Sequence, residues 1–195
     1  MEKTNPNQED KKIRYAHPDQ SFFEAPDKDY EFMEESDIGW ESESEKISEP
    51  QMIKANVFDA AAYILKRQGE MTTMKLHKLL YYAQAWSLVW DEEPLFNEAI
   101  EAWANGPVVR RLFAYHRGHF KIDGMPIGNP DVLSEKQKET INAVLDFYGD
   151  KTSQYLIELS HLEDPWKNAR IGLSPNERGD RIISNDSMAN YYSSL

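Results

Sequence analysis

The residues of this chain best equipped for chemistry are its histidines and their acidic neighbours. His116 and His119 stand three apart, and His161 lies close to Glu163 and Asp164, spacings that could serve a metal ion or acid–base catalysis. Neither spacing is enough by itself. An isolated imidazole pair needs a third convergent ligand, which the sequence does not identify, and a histidine beside carboxylates is commonly a structural hydrogen-bonding group. His77, between Leu76 and Lys78, reads as a half-buried polar residue touching a neighbouring helix. The 195 residues include no cysteine, which excludes a disulfide framework, a thiolate nucleophile and any Cys-ligated metal. No GxSxG, glycine-rich phosphate loop or HExxH is present. Gly106-Pro107 resembles an anion-binding helix start only superficially, because proline removes one amide donor. The sequence therefore assigns no catalytic, cofactor-binding or metal-ligating residue, and the expected protein is not an enzyme.

Charge divides the chain in two. Residues 1–50 carry 6 Lys and Arg against 15 Asp and Glu, whereas the remainder carries 16 against 19. A net charge of −12 argues against generic nucleic-acid binding, which depends on cations replacing the counterions of the phosphates. A protein partner fits better. Up to Pro50 there is little periodicity, and a serine–glutamate run closes the segment, so residues 1–50 are expected to be an acidic extension, disordered or ordered by a partner. It is not a plain spacer. Phe22, Phe23, Tyr30, Phe32 and Trp40 punctuate the acids, together with Tyr15, Met33 and Ile38, and aromatics of this kind serve as anchors in interfaces. Those five aromatics are the expected partner-binding residues. The absence of an apolar run of ~18 residues or of a signal-peptide core gives no support for a membrane span or for export, and a cytoplasmic location is expected.

From residue 51 to 195 the periodicities predict a mainly α domain. Asn56 and Asp59 cap a first helix that Gly69 stops; Thr72 or Thr73 caps a second, with Leu76, Leu79, Leu80, Ala83, Trp86 and Val89 at three- and four-residue steps. The broad apolar stripe makes this second helix central, and of Tyr81 and Tyr82, on successive directions, at least one is expected at its margin. Residues 96–103 suit a short strand. Asn105-Gly106-Pro107 predicts the turn into a third helix over Val108–His116. Residues 117–133 read as a loop that holds at most one short strand. A Ser134–Gln137 capping box opens a fourth helix ending at Gly149, a fifth runs from Thr152 or Ser153 to about Asp164-Pro165, and a short sixth starts at Asn185 or Asp186. The expected fold is a compact multi-helix domain with at most a small two- or three-stranded β element.

Four blocks in this region carry a resemblance: Leu76-His-Lys-Leu-Leu-Tyr-Tyr-Ala-Gln-Ala-Trp86, Pro94-Leu-Phe96, Ile100-Glu-Ala-Trp-Ala-Asn-Gly-Pro-Val108 and His161-Leu-Glu-Asp-Pro-Trp166. Together they resemble the Panacea antitoxin domain, the GepA or SocA-like phage-associated family, over residues 52–192. The resemblance implies an antitoxin of a toxin–antitoxin system that neutralises a cognate toxin, encoded by an adjacent gene, by direct binding. One branch of the family instead hands its toxin to a Clp-type protease, which adds such a protease as an alternative partner. An enzyme that reverses toxin damage is the competing class. The motif residues Leu76, Lys78, Leu79, Tyr81, Trp86, Trp103, Gly106, Pro107, Val108, His161, Asp164, Pro165 and Trp166 are expected to be chiefly scaffold, because large buried aromatics dominate core energetics. Trp103 would pin the strand-like segment onto the helices. The acidic extension lies outside the resemblance.

Overall fold

The computed structural model describes residues 55–195. The five aromatic anchors expected in the extension lie outside this range. Within it the chain forms α1 (Val57–Gln68), β1 (Met71–Thr72), α2 (Thr73–Trp90), β2 (Ile100–Trp103), β3 (Gly106–Val109), α3 (Arg110–His116), β4 (Lys121–Ile122), α4 (Glu135–Tyr148), α5 (Ser153–Leu162), α6 (Asp164–Ala169), β5 (Ile182–Ile183) and α7 (Asn185–Tyr192), with a single 3-10 turn at Pro130–Val132. The fold is mainly helical, with one two-stranded and one three-stranded antiparallel sheet.

Local sequence explains most helix ends. Asn56 and Asp59 form a reciprocal capping box at α1, and Gly69 closes that helix with a positive φ. Thr72, Ser134, Thr152 and Ser184 each accept a hydrogen bond from a first-turn amide of α2, α4, α5 and α7. Helix α2 is the centre of the domain, because α1, α4, α5, α7 and β3 all pack around it. Every residue from Leu76 to Ser87 is buried as a result. Tyr81 and Tyr82 are both 0 % exposed, so neither reaches the margin expected of one of them. Tyr82 stacks on Tyr148 of α4 with ring centroids 4.1 Å apart, and Tyr192 of α7 packs edge-on against Tyr81, Tyr82 and Trp86. Leu88, near the end of α2, is partly buried and packs against the core.

Two segments depart from the sequence reading. Residues 106–109 are a strand, and the third helix begins at Arg110. Ala104 and Asn105 form the tip of a hairpin, Trp103 pairing with Gly106 and Ala102 with Pro107. Proline is tolerated here because β3 lies at the edge of the order β3-β2-β5, where a missing amide costs no ladder bond. The second departure is α6. Pro165 lies in its first turn, where it starts a helix as readily as it ends the previous one, so the count is seven α-helices among the described residues instead of six.

Gly106 is required twice over. Its φ is +93°, and a Cβ there would stand 2.6 Å from Lys78 Cε and 2.9 Å from Ser160 Oγ. Gly106→Ala is expected to cost about 1–3 kcal/mol, measured as a lowered urea midpoint at unchanged m-value.

Candidate functional site

A helix buried on every side needs internal partners for its polar groups, and among those of α2 the side chains of His77, Lys78, Gln84 and Ser87 find them. The first two reach the open edge of β3. Lys78 Nζ donates to the Pro107 carbonyl at 3.1 Å and lies 3.4 Å from Met74 Sδ, while the Val109 amide donates to His77 Nδ1 at 3.3 Å. Gln84 holds the loop before β2. Its Oε1 accepts from the Leu95 and Phe96 amides at 2.9 and 3.1 Å, and its Nε2 donates to the Phe96 carbonyl and to Asn185 Oδ1, both at 3.2 Å. The Leu76–Trp86 block thus fastens both the Pro94–Phe96 block and the hairpin.

The fourth block fastens the hairpin from the other side. Trp166 Nε1 donates to the Trp103 carbonyl at 3.0 Å, and Arg170 Nη1 donates to the Ala102 carbonyl at 2.8 Å. His161 stacks on Trp166, with ring centroids 3.9 Å apart, and does not pair with Glu163 or Asp164. Glu163 is fully buried and accepts a 2.6 Å hydrogen bond from the Tyr192 phenol, whereas Asp164 is exposed and meets Lys167 at 2.8 Å. On the hairpin, Glu101 accepts from Trp103 Nε1 at 2.7 Å and takes a two-point grip from Arg110 at 2.7 and 2.8 Å. Trp103 also packs edge-on against Phe113 of α3, which is how it pins the strand to the helices.

The histidine pair that forms is not the one the spacing suggested. His116 Nε2 lies 2.9 Å from His77 Nε2, and His77 is buried where the sequence reading expected it half-buried. Because His77 Nδ1 accepts from Val109, a neutral His77 carries its proton on Nε2 and donates it to His116 Nε2, which leaves the His116 proton on Nδ1. Adding a proton to either ring sets two N–H groups against each other. Burial foremost, then His116 and Lys78, hold His77 well below its usual pKa, and burial with a lesser push from His119 holds His116 at about 4. Burial, then the charges of Lys78 and Arg170, lower His161 to about 4, and burial lowers Lys78 to about 7.

As acid–base chemistry the arrangement has little to work with. Lys78 beside Ser160 resembles an amine poised against a hydroxyl, but both are 0 % exposed and the Ser160 hydroxyl donates to the Ile157 carbonyl at 2.7 Å. Among the described residues no group of three or more His, Cys, Asp or Glu could hold a metal. Leu76, Leu79 and Tyr81 are 0 % exposed, and Trp86, Trp103, Val108 and Pro165 are buried with them. Lys78, Trp103, Gly106, Pro107 and Trp166 therefore meet at one junction between α2, the hairpin and α5–α6. Sequence reasoning did not single out Gln84, Arg170 or Tyr192, and it named Glu163 only as an acidic neighbour of His161. The available signal was a polar residue inside an apolar run, visible at Gln84 and absent at Arg170 and Tyr192.

Fold and junction define a mainly helical domain in which Lys78, Gln84 and Trp166 bind backbone groups of the hairpin and of the loop before it. Residues 76–167 match the family model described as Antitoxin SocA-like, Panacea domain, which shows the resemblance over that span and takes in all four blocks. The match supports a general antitoxin role. It leaves α1 and α7 outside its limits, although both pack on α2. No curated protein and no solved structure matches the chain. Among the described residues no helix is long and apolar enough to cross a membrane.

The depressed pKa values set the pH profile. An unfolded chain protonates its histidines near 6.5 while the folded chain resists, so the histidines cost nothing above that pH and lower stability as pH falls from about 6.5 to 4. For Lys78 the unfolded chain alone holds the proton from about 7 to 10.5, so stability rises with pH over that window, by about 1.4 kcal/mol per pH unit. Lys78→Met is expected to flatten this alkaline rise and to keep most of the acid fall, which burial dominates, as read from urea midpoints between pH 4 and 10.

Proposed function

We propose that the chain neutralises a protein toxin by binding it directly, residues 51–195 forming the domain and residues 1–50 an acidic extension that shares in the contact. The observation that carries this reading is the Panacea match beside an extension with 15 acids and the anchors Phe22, Phe23, Tyr30, Phe32 and Trp40. The inward use of the motif residues supports it as well. Lys78, Gln84 and Trp166 bind backbone groups of their own domain, so specificity for a partner falls to the surface between the blocks and to the extension. Buried aromatic anchors supply affinity at the centre of an interface, and acidic side chains supply orientation and rapid encounter. Occluding the toxin's active site or the approach to it needs no chemistry from the antitoxin.

The toxin partner is proposed to be the product of an adjacent gene, met in the cytoplasm. Titrating that protein with the full-length chain is expected to abolish toxin activity near equimolar amounts and to give a complex that co-elutes in gel filtration. Rescue at a small fraction of the toxin concentration, with no complex, would instead point to an enzyme that reverses the damage. Loss of toxin from cells only where a Clp-type protease is present would point to the adaptor.

Removing residues 1–50 is expected to slow association more at low than at high salt, because exposed charges are screened within ~8 Å at physiological ionic strength. Stopped-flow mixing at two salt concentrations measures this. Equal rates for both forms would assign the interface to the domain alone.

A further inference from the structure

A cavity of about 190 Å³ opens between the start of α2, helix α3 and the turn that follows α3. Met74, Val108, Phe113 and Phe120 give it apolar walls, and His77 and His116 line it too. Its size is decisive. Sites for drug-sized ligands run to ~300–1,000 Å³, whereas an apolar cavity of ~150 Å³ takes up benzene. This one has room for a single ring. Its histidines are neutral, since the hydrogen-bond chain from Val109 through His77 to His116 is complete only in that state, so the wall they form carries no charge that would have to be desolvated.

The mouth has a different character. Phe120 is 65 % exposed there, and Arg117 makes no ion pair or hydrogen bond with another described residue. From Ala102 to Ile122 the chain contains Arg110, Arg111, Arg117 and Lys121 and not one Asp or Glu. Arg110, Arg111 and Lys121 are paired with Glu101, Glu98 and Glu70, which leaves Arg117 as the uncommitted cation at the rim. The cavity therefore suits an aromatic side chain with carboxylates beside it.

We propose that this cavity is a receptor for one aromatic ring flanked by carboxylates, and that its occupant in the free protein is the chain's own extension, through an aromatic between Phe22 and Trp40. The extension supplies the chemistry in the sequences Phe23-Glu24, Asp29-Tyr30-Glu31-Phe32 and Trp40-Glu41. It joins the domain beside α3, on the face turned away from the cavity, so the linker has to pass around that helix. Just inside the domain, the Phe58 ring packs edge-on against Tyr115 of α3 at 5.7 Å, and the Arg111 guanidinium lies 5.1 Å from the same ring. The 15 positions from Trp40 to Ala55 span up to ~50 Å when extended, several times the ~14 Å radius of gyration of a domain this size. Reach is not limiting. A tether of this kind gives an effective concentration of ~1 mM, so an intrinsic dissociation constant of ~0.1 mM keeps the site about nine-tenths filled. An anchor held in this way is covered until a competing surface takes it.

Hydrogen exchange on the full-length chain, with no toxin present, tests the contact and separates its failure from that of the antitoxin reading. Two full-length variants are compared with the parent: one with Phe22, Phe23, Tyr30, Phe32 and Trp40 changed to Ser, the other Arg117→Glu. Amides of residues 111–121 are expected to exchange about tenfold faster in both, with α4 unchanged as the sign of an intact fold. A synthetic peptide of residues 18–42 added to the serine variant is expected to restore protection, saturating at one per chain. Equal exchange in parent and serine variant would overturn the proposal, and because those substitutions lie outside the domain core, misfolding of Arg117→Glu does not blunt this arm. Protection that grows with protein concentration would place a second copy's extension in the cavity and overturn the contact within one chain.

Discussion

The architecture depends on one constraint: from Leu76 to Ser87 α2 is enclosed on all sides, so the polar side chains of that stretch have no access to bulk water. An amphipathic helix can turn such groups outward. Here His77, Lys78, Gln84 and Ser87 lie among Leu76, Leu79, Leu80 and Trp86 and are buried with them. A buried polar group without a partner costs about as much as several good contacts gain, so the neighbouring segments are arranged to receive these four. Gln84 fixes the loop before β2, and Ser87 fixes the Glu93 carbonyl at 2.8 Å. Lys78 and His77 together complete the outer edge of the hairpin.

The family blocks are separated in sequence but contiguous in space for the same reason. Trp166 and Arg170 grip β2 at successive carbonyls, while α2 grips β3. The short hairpin is held between the two and could not be stable alone. Lys78 is the costly member of the set, a fully buried amine with a single backbone acceptor and a sulfur for company. Its depressed pKa records that cost, and the close fit of Gly106 against its side chain shows that the space was built around it.

Much of the fold was legible from sequence because caps and periodicity are local. The boxes at Asn56 and Ser134, the stop at Gly69 and the starts at Thr72 and Thr152 all fell where the residues indicated. The hairpin was not legible at Asn105-Gly106-Pro107, since glycine and proline serve a turn into a helix and a turn into an edge strand equally well. Only the pairing of Ala102 with Pro107, a tertiary fact, decides between them. Tyr81 and Tyr82 failed for a related reason: a helix has no margin once α4, α5 and α7 surround it, and periodicity within one segment does not count its neighbours. At the candidate site the blocks themselves were legible, but not their pairings. His116 found His77, 39 positions away, instead of His119, and His161 found Trp166 instead of the carboxylates next to it in sequence.

The side-chain closure of β3 bears on how the molecule behaves in company. Exposed strand edges invite further strands, and most small sheets defend themselves with charge or brevity. On this sheet one flank is already occupied by an amine and an imidazole from α2, and the other ends in the two residues of β5. Neither flank offers a run of bare amides and carbonyls long enough to template fibrillar growth. Among the described residues, this three-stranded sheet therefore gives a second copy little backbone to extend.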